Sequence, residues 1–283
     1  MATAIAASTA HVLAWNTTLE LPAILLTLFL LYAVNIVRHR PRQVRALRAA
    51  RRRFIGFCLG LTTLYVALAS PIDAIGEHYL FCVHMVQHVI LVYPVPLLLL
   101  QGLPPAWLSA WVSLPGIDPL ARCLTHPAVA ALTFNVIFTA WHIPGLYEWA
   151  LRDPLVHQLE HAMILVGALL MWWPILSPIT SLPRLAPGVQ VLYVLGLAIG
   201  HIPVVAYLTF SREVMYPTYE MAQRLVALSP HEDQQLGAII MQLASMLTFV
   251  VVLAMAFWHW YREESAHMGN LPQTTESSHT PAY

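Results

Sequence analysis

The stretch Leu19–Leu68 reads LELPAILLTLFLLYAVNIV (19–37), RHRPRQVRALRAARRR (38–53), FIGFCLGLTTLYVAL (54–68). Its first part carries a single charge, Glu20, in nineteen residues. At about 1.5 Å per residue, a helix of that length nearly matches the roughly 30 Å hydrocarbon core of a bilayer. The second part places eight arginines in sixteen residues, and the third is apolar again. Backbone in lipid must satisfy its own hydrogen bonds, so two apolar stretches flanking a basic loop read as two membrane-spanning helices.

The same pattern continues along the chain. Further spans are expected at about His78–Leu100, from Pro127 to near Trp141, and at about Leu155–Leu176, Val189–Phe210 and Leu236–Trp260. That predicts an all-α polytopic membrane protein with seven transmembrane helices. It divides into a tail (1–18), a helical membrane domain (19–260) and a polar, disordered tail (261–283). In the connection Gln101–His126, Trp107 and Trp111 are four apart, the spacing of a short helix lying at the membrane interface. The N-terminus lacks a basic region before its first apolar run, so no cleaved signal peptide is expected.

Composition agrees. The 283 residues are 58% hydrophobic and 10% charged, whereas soluble domains carry about 25% charged residues. The 14 basic residues, all arginine, balance 14 acids, which argues against a nucleic-acid binder. Cys58, Cys82 and Cys123 show no CxxC spacing, so no disulfide framework is expected.

Positive charge stays on the cytoplasmic side. The arginine loop therefore predicts the N-terminus outside and the C-terminus cytoplasmic. Under that topology the inner segments hold eleven arginines and four acids, and the outer ones three arginines and ten acids. A zero net charge then hides about −7 outside and +7 inside.

Nine of the 14 histidines fall in the outer half: His11, His78, His84, His88, His142, His157, His161, His201 and His231. His39, His126, His259, His267 and His279 belong to the inner surface or tail and read as solvated, as does His11. His84-Met85-Val86-Gln87-His88 and His157-Gln158-Leu159-Glu160-His161 each place two imidazoles one helical turn apart on one face. His142 closes the fourth span, and His201 lies about nine residues from the outer end of the sixth. At 1.5 Å per residue these side chains share a layer about 9–15 Å deep. A lone intramembrane histidine is commonly a satisfied helix–helix hydrogen bond. Two such pairs with His142 on one side point instead to a functional site.

Imidazole binds copper, zinc, iron and nickel, and thioether favours Cu(I). Met85 lies beside His84, and Met241 and Met246 lie on the seventh span. The set points to copper first and zinc second, with the methionines read as packing residues that could also serve as soft ligands. Asp73, Glu77 and Glu160 are expected to orient imidazoles or to funnel a cation inward. Cys82 is turned away from the His84 face.

These motifs, in order, resemble the multi-spanning CtaG-type (caa3_CtaG) cytochrome c oxidase assembly factors. The resemblance rests on Ser70-Pro71-Ile72-Asp73, His84-Met85-Val86-Gln87-His88 and Trp141-His142-Ile143-Pro144 with Tyr147. It continues through His157, Glu160-His161, Trp172-Trp173-Pro174 and Asp233-Gln234-Gln235 with Gly237 and Met241. It implies a bacterial inner-membrane accessory protein that is no enzyme. Its partners would be the lipid bilayer, a copper ion and cytochrome c oxidase subunits. Carried onto this chain, the metal candidates are His84, His88, His142, His157, His161, Met85, His201 and Met241, with Asp73, Glu160 and Asp233 as supports. A seven-span zinc-dependent hydrolase and a bis-histidine haem b protein stay open as alternatives, because three imidazoles suit a zinc site and two suit a haem.

Overall fold

In the computed structural model, which describes residues 15–16, 18–38 and 43–269, every element is a helix. Thirteen helices are described, and nine begin with proline. Proline lacks the N–H that a first-turn residue leaves unbonded, so it starts a helix at little cost and stops the one before it. That is how 21 prolines fit an all-helical chain.

The helices are α1 (Glu20–Arg38), α2 (Val44–Ala69), α3 (Pro71–His78), α4 (Phe81–Val92), α5 (Pro94–Gly102), α6 (Pro105–Val112) and α7 (Ile117–Leu124). They continue with α8 (Pro127–Trp141), α9 (Pro144–Arg152), α10 (Pro154–Leu176), α11 (Pro187–Phe210), α12 (Pro217–Met221) and α13 (Pro230–Gly269). Six helical stretches are long and apolar enough to cross a membrane. A seventh exists only if α7 and α8, bent by 72° at their junction, form one span. The fourth expected span, α8, does not reach membrane-spanning length by itself. It has 15 residues, about 22 Å at 1.5 Å per residue.

Several boundaries differ from expectation. Helix α2 starts inside the arginine run, ten residues before Phe54. Helix α13 starts at Pro230 rather than at Leu236 and runs to Gly269, so residues 261–269 are helical rather than the start of a disordered tail. Its start follows a Ser-x-x-Glu capping box. Glu232 accepts from the Ser229 N–H at 2.7 Å, and the Ser229 hydroxyl accepts from the Glu232 N–H at 3.2 Å. The Trp107 and Trp111 connection holds two short helices, α6 and α7, joined through Gly116 at φ 81°, a left-handed turn that suits glycine. His11, His39 and His279 lie outside the described residues.

The bundle is organised around the stretch α4–α5, which packs on α2, α10 and α13. Helices α13, α11, α8 and α10 then continue in sequence back to it, closing a ring, while α1 packs on α2 at the outside. Prolines free carbonyls, and side chains from neighbouring helices take them. Pro96 removes the donor for the Val92 carbonyl, which instead accepts from Trp172 Nε1 of α10 at 2.8 Å. Pro71 does the same to the Ala67 carbonyl, which accepts from Gln87 Nε2 of α4 at 2.9 Å. Tyr32 donates to the Gly102 carbonyl at 2.8 Å, tying α1 to the end of α5.

Candidate metal centre

Two helix starts bring the histidines together. Helix α10 is capped locally, with Asp153 accepting from the N–H groups of Leu155 and Val156 at 2.9 and 3.3 Å. Helix α4 is capped from afar. The fully buried Asp233 carboxylate of α13 accepts from the N–H groups of Phe81 at 2.9 Å and Cys82 at 3.0 Å. Both caps place negative charge at a helix N-terminus, where the dipole favours it. The first turns of α4 and α10 then face each other.

The imidazole rings of His84, His88, His157 and His161 form one contiguous cluster. Ring centroids are 4.4 Å apart for His84–His88, 4.2 Å for His157–His161 and 5.4 Å for both His84–His161 and His88–His161. Glu160 joins them at 0% exposure, its carboxylate oxygen 3.5 Å from His88 Nε2. His84, His88, Glu160 and His161 each offer a donor atom, all within 4.8 Å of one another, and all four residues are buried. Expected to orient imidazoles or to funnel a cation inward, Glu160 stands among the potential ligands. Asp73, His157 and His161 form a second group on the same criterion.

The tautomer of His84 follows from its partners. Tyr219 donates to the Gly76 carbonyl at 2.7 Å. The Tyr147 and Tyr219 hydroxyls are 3.0 Å apart, and His84 Nδ1 is 2.8 Å from the Tyr147 hydroxyl. A chain of donors from His84 Nδ1–H through Tyr147 and Tyr219 to the carbonyl satisfies every hydroxyl. It leaves a lone pair on His84 Nε2, which faces His161 Nε2 at 3.2 Å. Burial pushes both phenols well above the usual tyrosine range, so they stay neutral donors. Sequence reasoning missed Tyr219. It lies in the polar connection between the expected spans Val189–Phe210 and Leu236–Trp260. The backbone and hydroxyl of Thr218 both bond Glu148, at 2.9 and 2.8 Å, and hold α12 against α9.

The other expected residues separate into groups. His142 lies beside the cluster, its ring 5.8 Å from His88. Its Nδ1 donates to the Phe138 carbonyl at 2.6 Å, leaving Nε2 without a partner. His201 is set apart among Phe134, Phe138 and Phe249, with Nδ1 bonded to the Leu197 carbonyl at 2.8 Å. Met85 and Met241 belong to the apolar core. Met85 packs against α13 at Gly237, where an added Cβ would lie 3.1 Å from its Cγ. Asp73 and Asp233 sit in the first turns of α3 and α13. His78 is exposed, and His231 bonds the Ser211 carbonyl at 2.9 Å.

Six buried donor or acceptor atoms at this centre have no hydrogen-bond partner: both nitrogens of His88, both oxygens of Glu160, and Nε2 of His142 and His157. Such an atom costs about 1–3 kcal/mol when left unpaired. Several of them converging in an apolar interior fit a cation, which would coordinate them together.

Fold and site together define a polytopic helical membrane protein with a buried imidazole–carboxylate centre near one end of its bundle. The chain belongs to the cytochrome c oxidase caa3 assembly factor (Caa3_CtaG) family, whose sequence profile matches residues 30–263. No curated protein and no solved structure matches it.

Proposed function

We propose that this protein binds a copper ion as cargo at His84, His88, Glu160 and His161 and helps deliver it to a cytochrome c oxidase subunit during assembly. The observation that carries the reading is the set of unpartnered buried nitrogens and oxygens at one point in the bundle. Imidazoles together with a carboxylate suit a borderline transition metal such as Cu(II) or Zn(II). His142 waits beside His88 as a further nitrogen. Delivery by ligand exchange needs no catalysis.

Arg45, Arg48, Arg51, Arg52 and Arg53 occupy the first half of the 26-residue helix α2, and the histidine centre lies toward its other end, where Gln87 of α4 reaches the Ala67 carbonyl. With the arginines cytoplasmic, the centre faces the outer side of a bacterial inner membrane and the N-terminus is outside. A zinc hydrolase draws on the same donors, but it needs substrate access to an open metal position. His84, His88, Glu160 and His161 are all at most 5% exposed, which favours storage and transfer.

Two experiments test this. The purified protein should bind about one equivalent of copper, and a His84→Ala/His88→Ala variant should bind it far more weakly. Deleting the gene should lower both the activity and the copper content of the oxidase. Normal values for both after deletion overturn the assembly role.

A further inference from the structure

A cavity of about 470 Å³ opens beside the centre, between α1, α2, α3 and the start of α10. Its wall toward α1 is apolar, with Leu21, Ile24 and Leu25. Its other end carries Asp73, Glu77, His157 and His161. His161 is the one residue of the buried four-residue group that also lines this cavity.

We propose that Asp73, His157 and His161 form a second cation position, a loading position through which the deeper group is filled. The proposal rests on the deeper group being a metal site. The donor atoms of the three residues lie within 4.8 Å of one another. His157 is 5% exposed, and its Nε2 has no hydrogen-bond partner. Glu77 stands 3.7 Å from His157 Nδ1 and adds negative charge that attracts a cation to the cavity. Gln87 Nε2 donates to Asp73 at 2.7 Å and holds the carboxylate toward the group.

The shared ligand sets the mode of transfer. A cation bound by Asp73, His157 and His161 exchanges Asp73 and His157 for His84, His88 and Glu160 while His161 stays attached. No free ion crosses the apolar interior, and no bond other than metal–ligand bonds forms or breaks. One ion is handled at a time, because the two positions compete for His161.

The test is copper uptake by the purified full-length protein, followed by rate and at equilibrium with Cu(II) alone as the probe. Asp73→Asn and His157→Gln should each slow uptake at least about tenfold and change the final affinity less than about threefold. Leu21→Trp, which narrows the cavity and replaces no ligand, should slow uptake likewise. His84→Gln/His88→Gln should keep the fast phase, lose affinity, and hold Cu(II) with an electron paramagnetic resonance spectrum distinct from wild type. Wild-type uptake rates in Asp73→Asn, His157→Gln and Leu21→Trp would overturn the loading position while leaving the deeper site standing. Failure of the wild-type protein to bind copper would overturn both. Parallel loss of rate and affinity in Asp73→Asn and His157→Gln would reduce these residues to structural supports and overturn the proposal as well.

Discussion

At the scale of single residues, the centre is defined by which lone pairs are left over. His84 is held by two buried hydroxyls, and outer hydrogen bonds of this kind typically change metal affinity 10–100-fold when removed. Tyr147→Phe and Tyr219→Phe should each weaken copper binding about tenfold in a competition titration, with unchanged circular dichroism. Unaltered affinity in both would remove the tyrosines from the site. Asp73 makes a pH prediction. Burial pushes its carboxyl up to about 6 from an ordinary 3.8, with Glu77 adding to the rise and the Gln87 hydrogen bond opposing it. A raised value means that its contribution to stability is complete below the ordinary carboxylate range and is lost as pH rises through about 6. Asp73→Asn keeps an acceptor for Gln87 and removes the charge. In metal-free protein its Tm should gain on wild type between pH 4 and 7, and a pH-independent gap would refute the assignment. The paired His-x-x-x-His spacings were legible in the sequence, because i, i+4 periodicity alone sets which side chains share a helix face. Glu160 as a potential ligand was not, because its role depends on what faces it from α4.

At the scale of elements, helix ends carry both local and long-range signals. Prolines mark most starts directly. Asp233 capping α4 across about 150 residues could not be read, because a long-range cap leaves no local spacing. Asp233→Ala should strand two buried N–H groups, cost about 2–4 kcal/mol and weaken copper binding by loosening the helix that carries His84 and His88. Denaturation in detergent together with a metal titration measures both. Gly102 marks the closest approach of a described glycine to another helix's backbone, where an added Cβ would lie 2.5 Å from the Phe57 backbone nitrogen and 2.8 Å from its Cα. Backbone cannot yield as a side-chain tip does, so Gly102→Ala should lower stability by about 1–3 kcal/mol. It should leave the copper affinity of the folded fraction unchanged, because Gly102 lies at the far end of α5.

At the scale of the whole molecule, neutrality conceals polarity: arginines gather toward one end of the bundle and the histidine centre lies toward the other. Reporter fusions test the orientation. A reporter that folds only outside the cytoplasm should be inactive when joined in the segment 38–53 or after Tyr283, and active in the α3–α4 region. The reverse pattern would put the centre on the cytoplasmic face. The sequence by itself determined that the chain is helical and membrane-spanning, where most spans lie, and which histidines share a helix face, because hydropathy, proline and helical periodicity are local properties. Only the tertiary structure decided that α4 and α10 meet at their first turns and that His201 lies among Phe134, Phe138 and Phe249. It alone turned a polar connection back to bring Tyr219 onto His84. Those outcomes depend on which helix surfaces pack together, and packing is a property of pairs of distant segments that no single stretch of sequence carries.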